Sequence, residues 1–189
     1  AFLSEYELNK DKRRGFNYSN LGYGLLGYLM EQATGKEYEK LIQEYIAKPF
    51  EMTDTYVQLP EEKEDRMATG HDEKGNIAQR WHNGILIGDG GLVSTASDLV
   101  NFLEAQLKPD TVKYTKCIQD SHNVTDKAET DVAYGWMVKQ PDTSSVYWRN
   151  GKTGGYSSFW GFNKSRQKGI VLLANGRIDQ DVVGEYLVS

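Results

Sequence analysis

The sequence lacks several features, and each absence excludes a class of protein. A single cysteine, Cys117, stands among 189 residues, which excludes an internal disulfide framework. No stretch approaches the run of about 18 apolar residues that a membrane-spanning helix needs. The net charge is −5 and the basic residues are scattered among acidic ones, which argues against a nucleic-acid partner. The three histidines, His71, His82 and His122, are too widely spaced for a zinc site, and neither a metal nor a cofactor is predicted.

Helical patterns are present in the first part of the chain. Apolar residues at near-helical spacing predict a first helix that Gly35 ends: Leu21, Leu25, Leu26, Leu29, Met30 and Ala33. A second apolar stripe follows and ends before Pro49: Tyr38, Leu41, Ile42, Tyr45 and Ile46. Thr95, three residues before Asp98, predicts the start of a third helix that runs to Leu107. The polar run at residues 72–76 predicts a hairpin tip.

From Ala133 onward the hydrophobic pattern changes to the period of two that β-strands show. Four strands are predicted, at residues 133–138, 144–149, 155–162 and 169–175. In the third of them Trp160 and Phe162 would share one face of the sheet, as core, while Phe159 takes the other. Helices first and antiparallel strands last indicate an α+β fold with an antiparallel β-sheet flanked by helices. The length fits a single domain over residues 1–189.

The stretch RNGKTGGYSSFW, which begins at Arg149, has two interpretations. A phosphate-binding loop requires a glycine where this chain has Val146, and the loop must lead into a helix. Here the run leads into an alternating, strand-like segment, so a nucleotide site is nearly excluded. The second interpretation is a serine hydrolase, because Lys-Thr-Gly on a strand belongs to the motif set of penicillin-recognising serine enzymes. Lys152 begins that triplet.

Three stretches support the second interpretation when they are taken together and in order. They are FNYSNLGYGLLGYLMEQATGKEYEKLI, which contains Tyr18-Ser19-Asn20, then GDGGLVSTASDLVNFL, then NGKTGGYSSFWGFNKSRQKGIVLLANG. They resemble segments of the class C β-lactamases and the related DD-peptidases and esterases, from about Phe16 to Asn175. The resemblance implies a β-lactamase/transpeptidase-like fold, of which this chain is the C-terminal part.

The resemblance also implies roles for two residues that take part in the chemistry. A free tyrosine has a pKa near 10, so it is a poor base unless cations stabilise its phenolate or pass its proton on. By resemblance, Tyr18 is the general acid/base or proton relay of the site, and Lys152 is one of its cationic neighbours. Each residue taken alone is also compatible with a structural role, Tyr18 as a core or cap tyrosine and Lys152 as a solvated residue of an edge strand.

Four further residues are assigned by resemblance to substrate binding. Asn20 would hydrogen-bond the amide side chain of the substrate, and Thr153 would contact its carboxylate. The strand beginning at Gly154 would lie along the substrate. The backbone N–H of Gly155 would supply half of an oxyanion hole.

The catalytic serine is missing from the pattern. Relatives carry a Ser-x-x-Lys helix well before Tyr-x-Asn, whereas here only seventeen residues precede Tyr18. The one match to that motif, Ser165 to Lys168, lies in a polar hairpin and is interpreted as chance. We therefore expect no nucleophile in this chain, which alone is predicted to be inactive. An upstream segment or a second chain would carry the serine, or else the protein is a pseudoenzyme.

Two functional hypotheses follow from the resemblance. The first is a serine hydrolase that works through an acyl-enzyme on a β-lactam, a D-alanyl peptide or an ester, and Lys-Thr-Gly leans toward a β-lactamase. The second is a non-catalytic module that binds or senses β-lactams or peptidoglycan peptides. For either hypothesis the resemblance implies a soluble protein in the periplasm or outside the cell.

Overall fold

A computed structural model describes Glu5 and residues 16–81, 84–126, 130–139 and 145–189. The helices in this part of the chain are α1 (Asn20–Thr34), α2 (Tyr38–Ile42), α3 (Ala96–Leu107), α4 (Thr115–Ser121) and α5 (Asp181–Val188). Helix α2 continues as the π-helical turn Gln43–Ala47, and three 3₁₀ segments span Glu61–Arg66, Gly84–Asp89 and Pro109–Thr111. The strands are β1 (Val124–Asp126), β2 (Asp131–Ala133), β3 (Met137–Lys139), β4 (Val146–Thr153), β5 (Tyr156–Asn163) and β6 (Lys168–Ala174).

The strands form one antiparallel sheet in the order β1-β2-β3-β4-β5-β6. Strands β4 and β5 pair along their whole length, from Val146 opposite Asn163 to Thr153 opposite Tyr156. Strand β3 pairs only with the first three residues of β4, the last of which is Trp148. Among the described strands, none pairs with the outer side of β4 from residue 149 onward, so this half of β4 presents a free edge.

Helices cover the two faces of the sheet. Leu103 of α3 packs with Phe162, and Trp160 lies against the same cluster. On the other face Val188 of α5 packs with Phe159. The predicted division of the β5 side chains between the two faces, with Trp160 and Phe162 in the core, is therefore confirmed, as is the α+β class.

The predicted helix ends are also confirmed. Gly35 ends α1 at φ 67° and donates its N–H to the carbonyl of Glu31, as a left-handed C-cap does. The Thr95 side chain accepts a hydrogen bond from the Asp98 N–H at 3.2 Å and so caps α3.

The predicted hairpin tip at residues 72–76 is a turn, which is closed by a hydrogen bond from the Asp72 N–H to the Asn76 carbonyl.

Two strand predictions are wrong, both at glycines. Residues 133–138 do not form one strand, because Gly135 adopts φ 82° and the chain reverses between β2 and β3. The strand predicted to begin at Gly154 begins at Tyr156 instead, since Gly154 and Gly155 form the turn between β4 and β5. Strand β1 and helix α4 were not predicted, because short elements show too few periods of a hydrophobic pattern.

Helix α1 buries a different face from the one its apolar pattern predicts. Its buried residues are Gly24 and Gly27. A Cβ at Gly24 would lie 2.8 Å from the Leu86 Cβ, so only a glycine allows the segment Gly84–Asp89 this close. The leucines that suggested an apolar face are half exposed, Leu26 and Leu29 at 52% each. The apolar face of α1 is thus uncovered in the part of the chain that the structure describes.

The same described residues contain no helix long and apolar enough to cross a membrane. They also contain no group of three or more His, Cys, Asp or Glu side chains placed to hold a metal ion.

Candidate active site

Tyr18 lies just outside the N-terminus of α1. Ser19 is the N-cap of the helix, in an extended conformation, and its hydroxyl accepts a hydrogen bond from the Gly22 N–H at 3.0 Å. Tyr18 therefore precedes the helix, and Asn20 is the first helical residue. Both residues are exposed, and the Tyr18 ring packs at 5.6 Å from the Tyr23 ring. The cap thus leaves the phenol and the amide accessible at the same end of α1.

Arg149 of β4 reaches this end of the helix. Its guanidinium carbon lies 5.3 Å from the centre of the Tyr18 ring and 5.4 Å from that of Tyr23. These distances fit cation–π contacts with both rings. The contact joins the start of α1 to the free-edge half of β4. Arg149 begins the stretch RNGKTGGYSSFW, yet no motif in the sequence indicates a role for it.

Lys152 does not face α1 but projects toward the start of α5. Successive strand residues project to opposite faces, so Lys152, three positions after Arg149, lies on the other face of β4. Its ammonium group is 3.5 Å from Asp179, just before α5. The backbone N–H of Asp181 and then the charge of Lys152 lower the pKa of the Asp179 carboxyl. Among the described residues, no contact joins Lys152 to Tyr18, so their functional pairing stays a prediction.

Asn150 lies on the same face of β4 as Lys152. Its side chain donates a hydrogen bond of 2.7 Å to Asp181, the first residue of α5. Asn150 and Lys152 thus both reach acidic residues near the start of α5, while Arg149 projects toward α1. The alternation of β4 is visible in the sequence, but the residues that each face meets are set by the packing of two distant helices.

Thr153, Gly154 and Gly155 lie where β4 ends and turns. Thr153 pairs with Tyr156, and Gly155 is buried at φ 85°. A Cβ on Gly155 would lie 2.9 Å from the Cα of Gly70, and one on Gly154 would lie 2.7 Å from the Trp81 ring. Both glycines are therefore required by the close approach of the segment 68–81.

That segment holds the turn by hydrogen bonds. The His71 N–H donates to the Gly155 carbonyl at 3.1 Å, and the Tyr156 hydroxyl donates to the Ala68 carbonyl at 2.7 Å. No motif in the sequence indicates this wall, although Gly70 is a residue type that permits such a close approach. The substrate-binding roles of Asn20, Thr153, Gly154 and Gly155 stay predictions.

The chance Ser-x-x-Lys match lies far from these residues. Ser165 and Gln167 are in the turn between β5 and β6, where the Ser165 hydroxyl donates to the Asn163 side chain at 2.9 Å. The Gly154–Gly155 turn is at the opposite end of β5, and eight strand residues span roughly 26 Å. Ser165 starts no helix, so it lacks the geometry that would place a lysine one turn later beside its oxygen.

Comparisons with known proteins bear on the family and the fold. The profile of the family described as Beta-lactamase matches residues 1–187. Protein flp of Staphylococcus aureus (strain N315) is 27% identical over 177 residues, which cover 89% of this chain and 35% of that protein. A solved class C β-lactamase matches with a TM-score of 0.89 at 19% identity, over 99% of this chain and 60% of that one. A D-alanine carboxypeptidase from Burkholderia cenocepacia matches with a TM-score of 0.84 at 22% identity, over 92% and 60%.

The chain therefore belongs to the β-lactamase family of penicillin-recognising serine hydrolases. Its α+β fold, with the antiparallel sheet flanked by helices, is the fold of these solved structures. The chain spans about a third of the curated relative and about three fifths of the solved chains.

Proposed function

We propose that this chain forms the Tyr-x-Asn and sheet-edge side of the acyl-transfer site of a serine hydrolase that takes β-lactams or D-alanyl peptides. The observation that carries the proposal is the placement of Tyr18 at the exposed start of α1, in contact with the half of β4 whose outer edge is free. A free edge offers backbone N–H and C=O groups to an extended substrate, which adds to the sheet as a further strand.

Tyr18 acts in this proposal as the general acid/base or proton relay. When a serine oxygen attacks the substrate carbonyl, its proton passes to Tyr18 and then to the leaving group. In the second half of the reaction Tyr18 takes a proton from the incoming water and returns it to the serine oxygen as the acyl bond breaks. Asn20, beside it on the first turn of α1, binds the amide of the substrate. By the motif, Lys152 is the cation that assists Tyr18. To reach Tyr18, its ammonium group would have to leave Asp179.

The end of β4 supplies the remaining contacts. Thr153 binds the carboxylate of the substrate, and the Gly154–Gly155 turn closes that end of the binding edge. The Gly155 N–H serves as half of the oxyanion hole, where the loss of one donor typically costs about 2.7–4 kcal/mol. The wall formed by residues 68–81 keeps this turn in place, so its backbone groups are fixed before the substrate arrives.

The serine comes, in this proposal, from a Ser-x-x-Lys helix outside these 189 residues, on a longer chain or a partner chain. The uncovered leucines of α1 are the surface on which such a helix would pack. Two observations support this arrangement: α1 carries Tyr18 at its start, and the chain spans only about three fifths of the solved relatives. In this proposal the protein acts in the periplasm or outside the cell, where substrates of this class are found.

The test uses the natural full-length protein that contains this chain, with nitrocefin and a D-alanyl-D-alanine thioester as substrates. We expect turnover of at least one of them, and a loss of about 10²-fold or more in kcat for Tyr18→Phe, the range in which general acid–base groups act. A stable penicilloyl adduct without turnover would identify a sensor. The proposal would be contradicted if the full-length protein showed no turnover and formed no adduct. The isolated 189 residues are expected to show neither.

A further inference from the structure

We propose that a pocket on the α3 side of the sheet binds a small aromatic acid, at a second site separate from the candidate active site. The pocket lies between the π-helical turn Gln43–Ala47, helices α3 and α4, and the turn between β2 and β3. Its volume is about 440 Å³, which suits one small molecule. We call it the aromatic pocket, after the rings in its lining: Tyr45, Phe50, Phe102, Tyr114, Trp136 and Trp160.

The aromatic pocket shares no described residue with those assigned to acyl transfer. Trp160 is its lining residue on β5, and it lies four positions after Tyr156, or about 13 Å along the strand. A ligand in the pocket would therefore leave the Gly154–Gly155 turn open to a substrate. The inference does not rest on the proposed function.

The floor of the pocket consists of rings that pack edge to face. Phe102 lies 5.3 Å from Trp160 at an interplanar angle of 78°, and Trp136 lies 5.1 Å from Trp160 at 69°. Phe50 meets Phe102 at 5.5 Å and 75°. Trp136 and Phe50 are almost completely buried, so the floor is formed before a ligand arrives. Because aromatic pairs gain energy beyond the area they bury, this floor favours a further ring over a flexible chain.

A buried amide supplies a polar contact. Gln106 lines the pocket and is only 3% exposed, and its Oε1 accepts a hydrogen bond of 3.1 Å from the His122 Nε2. Burial lowers the pKa of His122 to about 4, so at neutral pH the ring carries one N–H, which this bond uses. Within the described part of the chain, no group accepts a hydrogen bond from the Gln106 amide nitrogen. This donor is therefore free to bind an oxygen of a ligand.

The charge at the rim of the pocket favours an anion. Among its described lining residues there is no Asp or Glu. The Lys113 ammonium lies 5.3 Å from the centre of the Tyr114 ring, and no carboxylate of the described ranges forms an ion pair with it. Lys36 lies 5.4 Å from the Tyr45 ring, but Glu44 offsets its charge. Lys113 is thus the cation that an acidic ligand would meet.

These three features together define the class of ligand. The floor fits a flat aromatic body, while the Gln106 amide and the Lys113 ammonium fit one acidic group. An aryl carboxylate or sulfonate has both parts. An aliphatic acid would meet the same charge but would gain less from the rings.

The experiment measures binding to the full-length protein by isothermal titration calorimetry at about pH 7. The probe is naphthalene-2-sulfonate, and naphthalene-2-sulfonamide is its neutral analogue of the same shape. Decanoate supplies an equal charge on a flexible chain. The variants are Tyr45→Ala and Lys113→Gln, with Lys116→Gln as the matched control, because Lys116 is exposed on α4 and pairs with Asp120.

Cys117 provides a second readout that is specific to this pocket. It lines the pocket and its side chain is exposed. A bound ligand should therefore slow the reaction of Cys117 with iodoacetamide, which peptide mass spectrometry follows at this one position.

We expect naphthalene-2-sulfonate to bind with a Kd of about 1 mM or tighter, the range open to a ligand of its size. The sulfonamide should bind about two- to fivefold more weakly, and Lys113→Gln should remove that difference, whereas Lys116→Gln should keep it. Tyr45→Ala should weaken both naphthalene ligands about fivefold, because one ring of the lining is lost. Decanoate should bind more weakly than the sulfonate, and the sulfonate should protect Cys117.

The inference is overturned if the sulfonate binds more weakly than about 1 mM, or if it binds without protecting Cys117, since the ligand would then lie elsewhere. Tighter binding of decanoate would contradict an aromatic ligand, and equal effects of Lys113→Gln and Lys116→Gln would contradict the anion contact. If Tyr45→Ala does not fold, the comparison of the three probes on the wild-type protein still decides the matter.

Discussion

The sheet and helix α1 differ in how far their apolar side chains are buried. In the sheet, Phe159 and Phe162 are completely buried, because α5 and α3 cover the two faces. In α1, glycines form the buried contact, and Leu26 and Leu29 remain half exposed. The sheet is thus closed by elements of this chain, whereas the apolar side of α1 needs a cover that the described residues do not supply.

The candidate site lies where these two regions meet. Tyr18 and Tyr23 come from α1, and Arg149 comes from the free-edge half of β4. A site at such a boundary takes its geometry from both sides. Substitutions in the sheet should therefore unfold the site, while substitutions on the open face of α1 should leave the fold of this chain intact.

The largest expected effect is the removal of a ring from the sheet core. Phe159→Ala should lower the free energy of unfolding of the 189-residue chain by about 3–5 kcal/mol, because it leaves a cavity between α5 and the sheet. Urea unfolding followed by circular dichroism measures the change. A loss below about 1 kcal/mol would show that α5 is not packed on the sheet in solution.

Acid should weaken the sheet region through His122. Burial, and to a lesser degree the charge of Lys164, lower the pKa of His122 to about 4. The unfolded chain binds this proton below about pH 6.5 and the folded one only below about pH 4, so stability is lost as the pH falls between these values. The full contribution is about 3 kcal/mol, at 1.36 kcal/mol for each pKa unit.

The control for this prediction is His122→Gln, in which the titrating group is gone. Its free energy of unfolding, measured in urea at pH 7 and pH 4.5, should depend less on pH than that of the wild type. Equal slopes would mean that His122 is not buried in its neutral form.

A smaller effect is expected where the sheet meets the wall of the site. Gly155→Ala should cost about 2–3 kcal/mol, because an L-residue at φ 85° is strained and its Cβ would approach Gly70. Gly35→Ala is the matched variant: φ is also positive there, but the space is open, so about 1 kcal/mol is expected. Equal losses in thermal unfolding would argue that the segment 68–81 does not pack on the turn.

The smallest effect is expected on the open side of α1. Leu26→Gln should change the stability of this chain by no more than about 0.5 kcal/mol, because the side chain is half exposed. In the full-length protein the same substitution should be clearly destabilising if a further segment covers α1. Similar small losses in both would contradict the proposed packing of a Ser-x-x-Lys helix on this face.

Much of the fold was predictable because its signals are local. Gly35 and Thr95 marked helix ends through their own backbone chemistry, and the period of two in β5 assigned Phe159 and Phe162 to opposite faces. The errors arose at Gly135 and Gly155, where a left-handed conformation turns the chain within a run that otherwise alternates like a strand.

The candidate site was predictable only in part. The motifs indicated Tyr18 and Lys152 because residue types and order are written in the sequence, and they indicated the family in the same way. They did not indicate Arg149, since nothing local to β4 specifies which of its faces meets α1. That contact joins residues 131 positions apart, and no periodicity spans such a distance.

By itself, therefore, the sequence determined the family, the class of fold, the ends of the helices and the residue types available for acyl transfer. Only the tertiary structure decided which cation stands beside the tyrosine, because the rings at the start of α1 contact one face of β4 and the acidic residues at the start of α5 contact the other. The two charges of that strand are three residues apart, so the alternation of the strand places them on opposite faces, and the packing of the helices decides which residues each of them meets.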